Sequence, residues 1–514
     1  YSFKSRRCII VSIVLAALVV GALVAVLVTQ PWAEHLPDHP RYRRAAVAAN
    51  GPECASIGRA ILERNGSAVD AAIATLFCEG IGCAQCMGLG GGFLATVYDA
   101  KTGRVRVLNA RERAPAATQK DMFMNASSTV GGLAIAVPGE LRGYGELHRE
   151  YGHLPWGELV RPTAELCRQG HRVSPYMGRA LKTKKKLYIN YNGFVWNEGD
   201  LIREPTLART LDVIAEEGPE AMHNGSLTAV LVRDIRNFGG IITEDDLRNY
   251  QLEWQEPITV QLSEEHTLYS VPLPGSGSVL AFILNMLLGW VGAGSNVLAG
   301  SELYWHRIVE TFKYAYAKRT GLGDPSRSNS PFDIREVIND TQTFSDWRHY
   351  GALFEGADDH GTAHVVVVAP DGSVVSVTST INYIWGAQRR STSLGIMLNN
   401  EMDDFAIPNR ENSYGMPPSP ANMLAPGLQP LSSMVPCIVL SRNGTAELVI
   451  GAAGGTKITT QIALVAMHTM LEGEEFPVVI QQPRLHHQLV PMEVEHEADF
   501  DAVINYMLCF TLIK

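Results

Sequence analysis

The sequence lacks an excess of positive charge, internal repeats and long low-complexity linkers. Its 514 residues carry a formal net charge of −10, which argues against nucleic acid as the main partner. Hydrophobic residues make up 46% of the chain, enough for a large core and one or two domains. Because no repeat or linker divides the chain, we expect its main part to form one mixed α/β body.

Motifs for phosphate and metal binding are also absent. The glycine-rich run at residues 88–92 precedes a predicted strand and has no Lys-Ser/Thr pair, which excludes phosphate-loop and dinucleotide fingerprints. We expect these glycines to allow close backbone packing. Cys83 and Cys86 have the spacing of a redox or zinc half-site, but no second cysteine pair or nearby Cys/His set accompanies them. Partly buried thiols are the simpler interpretation.

One segment near the N-terminus lacks charge altogether. As a helix, the twenty-two residues from Cys8 to Thr29 would extend roughly 33 Å, which matches the core of a bilayer. The residues that follow form a poor signal-peptidase site, so we predict a retained signal anchor over residues 8–29. Lys4, Arg6 and Arg7 favour a cytoplasmic tail over residues 1–7.

Features beyond this segment support an extracellular main domain. Seven of the eight cysteines lie there, which is compatible with an oxidising compartment, one or more disulfides and at least one free thiol. Glycosylation sequons also lie there, at Asn65, Asn125, Asn224, Asn339 and Asn443.

Helical and strand patterns alternate along this domain. Capping and periodicity predict helices over residues 67–80, 140–151, 305–319 and 458–471, and a capped helix that opens at residues 243–246. Strands are predicted over residues 93–98 and 105–109, and the chain becomes rich in strands after residue 362.

A predicted hairpin brings two threonines together. The Pro-Asp-Gly sequence at residues 370–372 is a turn signal, and if its flanking residues close the turn, Thr362 lies opposite Thr380. A cut after the small Gly361 would make Thr362 N-terminal, and its own α-amine could then activate its hydroxyl. A threonine-rich strand pair without a catalytic role is the alternative.

The glycines at residues 451–455 lie between a predicted strand and a predicted helix. Such a turn leaves backbone N–H groups free to hold an oxyanion. A tight turn that simply requires glycine is the alternative.

Charged and polar residues suggest that the substrate is an amino-acid head group. Glu401 and Asp404 are three residues apart, so one helical turn would aim both carboxylates, with Asn382, at an ammonium group. Arg111 could grip a carboxylate through two hydrogen bonds, helped by the hydroxyls of residues 432 and 433. Each feature taken alone has another explanation. Glu401 and Asp404 could belong to a solvated turn, Arg111 could form a surface ion pair, and the two hydroxyls could bond to the backbone.

Several motifs together resemble the γ-glutamyltransferase family, in its animal type II membrane form. The likeness runs from about Ala45 to Leu489 and includes the motifs LNARE (108–112), VPGELRGY (137–144), GTAH (361–364), STIN (379–382), NNEMDD (399–404), PSPAN (418–422), PLSSM (430–434) and GAAGGT (451–456).

The resemblance implies an N-terminal-nucleophile hydrolase, an α/β protein with an αββα sandwich. It implies a precursor that cleaves itself between Gly361 and Thr362. Residues 30–361 would then belong to the large subunit and residues 362–514 to the small subunit, and the two fragments would remain together as a heterodimer. The protein would sit in the plasma membrane with its catalytic domain outside the cell.

The resemblance also implies a role for each matched residue. Thr362 matches the nucleophile, Thr380 the threonine that supports it, and Cys54 and Cys78 a family disulfide. Gly454 and Gly455 match the oxyanion donors. Arg111, Ser432 and Ser433 match the groups that hold the α-carboxylate. Asn382, Glu401 and Asp404 match the groups that hold the α-amine.

The implied reaction transfers a γ-glutamyl group from glutathione, its S-conjugates or related compounds. The group passes through an ester on Thr362 to water, an amino acid or a dipeptide, and this chemistry requires no metal or organic cofactor. A different amidase of the same fold suits these residues less well, because Arg111, Glu401 and Asp404 fit a free amino-acid head group.

Three departures from the family pattern keep a second hypothesis open. The aromatic pair after Asn382 is replaced by Tyr-Ile-Trp at residues 383–385, and the segment at residues 345–361 is shorter than usual. The pattern fades after Glu495, so we expect the last strands and helix of the small subunit to be missing. The second hypothesis is an unprocessed, inactive membrane glycoprotein of the same fold that acts by binding.

Overall fold

The computed structural model describes residues 45–183, 195–290, 298–327, 346–354, 361–408, 416–498 and 500. The predicted signal anchor at residues 8–29 and the sequon at Asn339 lie outside these ranges. Across the ranges that are described, no helix is both long and apolar enough to cross a membrane. The asparagines of the other sequons are exposed, at Asn65, Asn125, Asn224 and Asn443.

The strands of the described residues form two larger antiparallel sheets and two short pairs. Six strands form one sheet in the order β1-β9-β10-β2-β3-β6, and four form the other in the order β12-β11-β8-β7. The strands are β1 (Ala46–Ala48), β2 (Gly92–Asp99), β3 (Arg104–Ala110), β4 (His171–Arg172), β5 (Leu201–Ile202), β6 (Glu253–Gln255), β7 (Ile258–Gln261), β8 (His266–Ser270), β9 (Ala363–Val368), β10 (Val374–Thr380), β11 (Cys437–Ser441), β12 (Ala446–Ile450), β13 (Leu485–His486) and β14 (Glu495–His496).

The helices complete a mixed α/β fold. They are α1 (Pro52–Glu63), α2 (Ala68–Gly82), α3 (Glu140–Tyr151), α4 (Trp156–Gln169), α5 (Pro175–Thr183), α6 (Pro205–Glu217), α7 (Thr228–Asn237), α8 (Glu244–Arg248), α9 (Gly277–Leu288), α10 (Glu302–Arg319), α11 (Lys457–Ala466) and α12 (Phe476–Val479). Short 3₁₀ segments cover Gly132–Ala134, Glu401–Asp404 and Pro420–Asn422, and Met467–Leu471 is a π-helical turn.

The layers follow from which face each element buries. Helices α2 and α3 pack on the six-stranded sheet, whereas α9 packs on the four-stranded sheet. Between the sheets, Tyr98 and Val374 from one meet Ile438 and Leu440 from the other. Helix, sheet, sheet and helix therefore stack in the αββα order that the family resemblance implies.

The central hairpin has the predicted register. Ala369 and Ser373 close its turn with a 2.9 Å hydrogen bond, and every β9 and β10 pair follows the predicted offset, ending at Ala363 and Ser379. Burial alternates along β9 but is complete along β10, because β10 lies between β9 and β2 in the middle of the sheet. One more step along this register sets Thr362 opposite Thr380.

Local signals in the sequence explain helix α2. Ser67 caps it by accepting from the Asp70 N–H, and the Asp70 carboxylate accepts from the Ser67 N–H in return. A disulfide joins Cys54 of α1 to Cys78 of α2, as the resemblance implies. The other predicted helices and strands are also present, with ends shifted by a few residues at most.

Candidate active site

Thr362 lies at the start of the central hairpin and is 4% exposed. Its Oγ1 donates to the carbonyl oxygen of Gly361 at 2.5 Å, and Thr380 Oγ1 donates to the same oxygen at 2.7 Å. The Thr380 hydroxyl in turn accepts from the Asn382 N–H at 2.8 Å. Two hydroxyls thus converge on the Gly361–Thr362 peptide bond, where we predict cleavage.

The backbone at this peptide requires glycine. Gly361 has a φ of +103°, a conformation that side-chain-bearing residues rarely adopt. A Cβ at this position would lie 2.7 Å from the Asn382 carbonyl oxygen. The chain therefore turns sharply into β9 and packs closely on the segment that follows β10.

Arg111 occupies the first position after β3, and its side chain is 1% exposed. The guanidinium forms an ion pair with Glu401 and another with Asp404, the latter at 2.6 Å. Both carboxylates come from the 3₁₀ turn after residue 400, where one turn aims them in the same direction, as predicted. The predicted carboxylate-binding and ammonium-binding groups are therefore in direct contact and form one buried cluster.

Asn382 connects this cluster to the hairpin. Its Nδ2 donates to Asp404 Oδ1 at 2.6 Å and to the Asn400 carbonyl at 3.2 Å. Its Oδ1 is buried and has no hydrogen-bond partner among the described residues. A buried acceptor without a donor is costly, so this oxygen is suited to receive a donor from a ligand.

Ser432 and Ser433 lie beside Arg111 in the segment before β11. Arg111 Nη2 donates to the Leu431 carbonyl at 3.4 Å, which places the two serines next to the charged cluster. Both serines are fully buried, and Ser433 Oγ accepts from the Arg319 guanidinium at 2.8 Å. Arg319 lies at the end of α10. Its contact with Ser433 was not predicted, because no local sequence pattern connects two residues that are 114 positions apart.

The glycine-rich turn has the predicted place between β12 and α11. Gly451 packs against the ring of His364, which lies two residues after Thr362: a Cβ on Gly451 would come within 2.1 Å of that ring. Burial lowers the pKa of His364 to about 3, so the ring is neutral. Among the described residues, none accepts a hydrogen bond from the N–H of Gly454 or Gly455. These groups can therefore donate to a ligand.

Two buried carboxyl groups near the site, those of Glu112 and Glu140, were not predicted from the sequence. Burial raises the pKa of Glu112 to about 8, although Arg111 opposes this, and burial raises the pKa of Glu140 to about 8 as well. Glu140 Oε1 accepts from Ser379 at 2.7 Å, directly before Thr380. Their positions, after β3 and at the start of α3, gave no sign that both carboxyl groups face inward.

The remaining predictions for this region have mixed outcomes. The glycine run packs closely, since a Cβ on Gly91 would lie 2.1 Å from the Thr380 carbonyl oxygen. Trp385, the last residue of the Tyr-Ile-Trp sequence, turns into the core and donates to the Ala180 carbonyl at 3.1 Å. Cys83 and Cys86 are buried free thiols.

Comparison with known proteins matches most of the chain. A family model described as gamma-glutamyltranspeptidase matches residues 54–508, which extends past Glu495, where the sequence motifs fade. Scoloptoxin SSD14 from Scolopendra dehaani is 41% identical over 484 residues, covering 89% of this chain and 84% of that protein. Glutathione hydrolase 5 proenzyme from Mus musculus is 38% identical over 475 residues, covering 87% and 82%.

Solved structures share the fold. Cephalosporin acylase from Bacillus halodurans has a TM-score of 0.77 at 22% identity and covers 94% of this chain and 91% of its own. Gamma-glutamyltranspeptidase from Pseudomonas nitroreducens, complexed with L-DON, has a TM-score of 0.51 at 32% identity, covering 57% and 90%. Both neighbours have the mixed α/β fold of N-terminal-nucleophile hydrolases.

Proposed function

The chain belongs to the γ-glutamyltranspeptidase family, and we propose that Thr362, freed by self-cleavage after Gly361, is its nucleophile. The activity is the transfer and hydrolysis of γ-glutamyl groups, with glutathione and its S-conjugates as donors. The observation that carries the assignment of residues is the buried cluster of Arg111, Glu401 and Asp404, linked by Asn382 to the Thr362 hairpin.

Cleavage begins at the Gly361 carbonyl. The Thr362 hydroxyl attacks the carbonyl carbon, and the Thr380 hydroxyl, which already donates to the carbonyl oxygen at 2.7 Å, stabilises the charge that develops there. The bond between the Gly361 carbonyl carbon and the Thr362 nitrogen then breaks, the hydroxyl proton passes to that nitrogen, and water hydrolyses the resulting ester. This leaves the Thr362 hydroxyl beside a free α-amine and divides the chain into residues up to 361 and residues from 362, which remain together as a heterodimer.

In the mature enzyme, the Thr362 hydroxyl attacks the donor's γ-carbonyl carbon. The α-amine of Thr362 takes the hydroxyl proton and gives it to the leaving amine. The N–H groups of Gly454 and Gly455 donate to the tetrahedral oxyanion. A γ-glutamyl ester remains on Thr362, and water, an amino acid or a dipeptide then attacks that ester.

The charged cluster selects the γ-glutamyl head group. The donor's α-ammonium binds beside the carboxylates of Glu401 and Asp404, which attract a cation. Asn382 Oδ1 accepts from the same ammonium. Ser432 and Ser433, with Arg111, hold the α-carboxylate. The family relation and the unpaired acceptor both support this arrangement.

The alternative of an unprocessed binding protein is not favoured. Glutathione hydrolases are among the curated relatives that cover most of the chain. The roles proposed above for Thr362, Gly454 and Gly455 also favour a catalytic function.

Localisation depends on residues outside the structure. We propose that residues 8–29 anchor the protein in the plasma membrane, with residues 1–7 inside the cell and the catalytic domain outside. The charge-free segment and the exposed sequon asparagines support this topology. Enzymatic removal of N-linked glycans from the cell-expressed protein checks the topology: a shift of the band on a gel is expected, and an unshifted band contradicts it.

Substitution of the nucleophile tests the proposed function. Thr362→Ala removes the hydroxyl that both cleavage and transfer require, so we expect an intact precursor without hydrolysis of a γ-glutamyl anilide. Thr96→Ala is the matched control, because Thr96 is another buried threonine of the same sheet, whose hydroxyl donates to the Pro436 carbonyl. The control should be cleaved and active. A cleaved and active Thr362→Ala enzyme would refute the assignment.

The choice of donor is tested separately. Because the cluster binds a free amino-acid head group, the wild type should hydrolyse a γ-glutamyl anilide at least about a hundredfold faster than a simple acyl anilide. Equal rates on the two anilides would indicate an amidase of different specificity.

A further inference from the structure

The glycine-rich turn proposed to hold the oxyanion has a flexible backbone. Gly454 and Gly455 have φ angles of +122° and +62°, a conformation that glycine adopts far more readily than other residues. A Cβ on Gly454 would meet its nearest neighbour at an ordinary 3.8 Å, so this glycine has room around it. Oxyanion donors, however, must point in a fixed direction before the reaction begins. The direction of these N–H groups therefore depends on how the neighbouring residues are held.

Thr456 is the residue directly after this turn, and two side chains hold it. Its carbonyl oxygen accepts a hydrogen bond from the Tyr316 hydroxyl of α10. Its own hydroxyl donates to Gln488 Oε1 at 2.6 Å. Thr456 and Tyr316 are each 4% exposed, so water competes little for these groups. The backbone and the side chain of Thr456 are therefore both anchored, and the end of the turn is anchored with them.

A buried histidine supports both anchors. The ring of His486 packs edge-on against that of Tyr316, with centroids 5.7 Å apart. His486 Nε2 lies 3.0 Å from Gln488 Oε1, and its Nδ1 lies 2.8 Å from Thr460 Oγ1 on α11. Burial lowers the pKa of His486 to about 4, so the ring is neutral and one nitrogen carries a proton. Since Gln488 Oε1 can only accept, Nε2 donates to it and Nδ1 accepts from the Thr460 hydroxyl.

Helix α10 also reaches the other part of the proposed site. Arg319 lies three residues after Tyr316, and its guanidinium donates to Ser433 Oγ at 2.8 Å. Side chains three residues apart lie on the same face of a helix. One face of α10 therefore contacts both the turn proposed for the oxyanion and a serine proposed for the α-carboxylate.

We propose that Tyr316 and Gln488 are positioning residues for the oxyanion donors. The inference rests on the proposed function, because it requires that the N–H groups of Gly454 and Gly455 face the oxyanion. By anchoring Thr456, the two side chains hold these N–H groups in one direction before the reaction starts. The tetrahedral intermediate then gains their hydrogen bonds without the cost of ordering the turn. Neither the resemblance nor the comparisons with known proteins assign a role to either residue.

Loss of one anchor should slow the chemical step without weakening the binding of the donor. Tyr316→Phe removes only a hydroxyl, and Thr456→Val replaces a hydroxyl by a methyl group of similar size. We expect kcat for a γ-glutamyl anilide to fall about tenfold in each variant. Because the turn does not hold the head group, KM should stay within about twofold. Thr456→Ser keeps the hydroxyl that Gln488 accepts, so it should recover most of kcat.

A boronic acid analogue of the γ-glutamyl group provides a second measurement. Its boron forms a tetrahedral, negatively charged adduct with the Thr362 hydroxyl, which resembles the intermediate. Its inhibition constant should therefore rise about tenfold in Tyr316→Phe and in Thr456→Val, in parallel with the loss of kcat. Free L-glutamate has the same head group but forms no such adduct, so its inhibition constant should stay within about twofold.

The experiment compares these variants with wild type and with Tyr304→Phe. Tyr304 is the matched control because it is another buried tyrosine of α10, 3% exposed, whose hydroxyl donates to Glu472 at 2.8 Å. Tyr304→Phe should keep kcat and both inhibition constants. Rates are expressed per mole of small fragment, so that slower self-cleavage is not counted as a loss of kcat. Thermal unfolding shows whether each variant is folded.

The outcomes separate this inference from the proposed function. If wild type neither cleaves nor hydrolyses the anilide, the proposed function fails. If wild type is active and Tyr316→Phe and Thr456→Val keep their kcat and boronate inhibition constants, only the positioning role is overturned. A rise in KM and in the inhibition constant of glutamate, with kcat unchanged, would also overturn it, because the anchors would then act on the head group. Should Tyr316→Phe not fold, Thr456→Val decides: a kcat equal to that of Tyr304→Phe overturns the inference.

Discussion

The guanidinium of Arg111 is buried between two carboxylates, from Glu401 and Asp404. A buried ion pair contributes little to net stability, but removal of one partner typically costs about 3–5 kcal/mol because the other charge is left uncompensated. The cluster therefore contributes little to net stability, and we propose that it serves recognition of the substrate head group.

Substitution of this arginine by lysine separates charge from geometry. In Arg111→Lys the positive charge remains, so we expect thermal unfolding to change little. The planar, two-pronged donor is lost, so KM for the γ-glutamyl donor should rise by about a hundredfold or more while kcat changes less. Steady-state kinetics with a γ-glutamyl anilide measure both constants.

The control for this substitution lies on the same strand. Arg106 of β3 is paired with Glu150 at 3.3 Å near the surface. Arg106→Lys should leave both constants unchanged. A KM for Arg111→Lys equal to that of this control would show that Arg111 does not hold the donor.

At this scale, local sequence patterns predicted the groups that end a strand or form a short motif. Thr362, Thr380 and the Glu401/Asp404 pair belong to this class, since a turn or a strand end determines where they point. Arg319 does not, because it reaches its partner, Ser433, across more than a hundred residues. Nothing nearby in the sequence indicates that contact.

The glycine-rich turn after β12 and the hairpin that starts at Thr362 make contact through Gly451 and His364. His364 is held by a 2.9 Å hydrogen bond between its Nδ1 and Thr378 Oγ1. The ring therefore cannot move without disturbing the hairpin. This contact sets how closely the proposed oxyanion donors approach the strand that follows Thr362, the proposed nucleophile.

A methyl group at this contact should separate the two elements. In Gly451→Ala the new Cβ would lie about 2.1 Å from the ring of His364, so the turn must shift. Because the oxyanion donors act only in the transition state, we expect kcat to fall about tenfold or more while KM stays near the wild-type value.

The matched control is another glycine with room for a methyl group. A Cβ on Gly321 would meet its nearest neighbour, the Lys318 carbonyl oxygen, at an ordinary 3.6 Å. Gly321→Ala should retain kcat. An unchanged kcat in both variants would argue against the turn as the oxyanion site.

Elements with strong local signals were predicted well. The capping box at Ser67 and the Pro-Asp-Gly turn of the hairpin each determine a conformation through neighbouring residues. The order of strands in the two sheets depends on contacts between distant segments, such as β1 with β9 and β8 with β11. The family resemblance implied the αββα layers, but no order of strands was predicted.

Across the whole molecule, buried acids make stability depend on pH. Burial raises the pKa of Glu112 and of Glu140 to about 8 and that of Glu79 to about 7. In the unfolded chain each would have the usual value, near 4.5. The folded protein therefore binds these protons more tightly, and the free energy of unfolding falls as the pH rises from about 4.5 through about 8.

Neutralising one acid should flatten this dependence. Each such group contributes a slope of about 1.4 kcal/mol per pH unit between its unfolded and folded pKa. In Glu140→Gln the two donors to Oε1, Tyr144 and Ser379, keep an acceptor, but the titration is gone. We expect the melting temperature of this variant to fall less than that of wild type between pH 5 and about 8.

Glu146→Gln on the same helix is the control, since hydrogen bonding from Arg149 lowers the pKa of Glu146. It should not reduce the decline of the melting temperature with pH. If Glu140→Gln loses stability with pH as steeply as wild type, the buried-acid explanation is wrong.

The central claim is that this chain frees Thr362 by cutting itself after Gly361. The most direct test is the N-terminal residue of the smaller fragment of the purified, active protein, determined by chemical sequencing and intact mass. The account predicts two fragments in equal amounts, and a small fragment that begins Thr-Ala-His. A protein that hydrolyses γ-glutamyl anilides as one uncut chain, or whose small fragment begins at another residue, would contradict it.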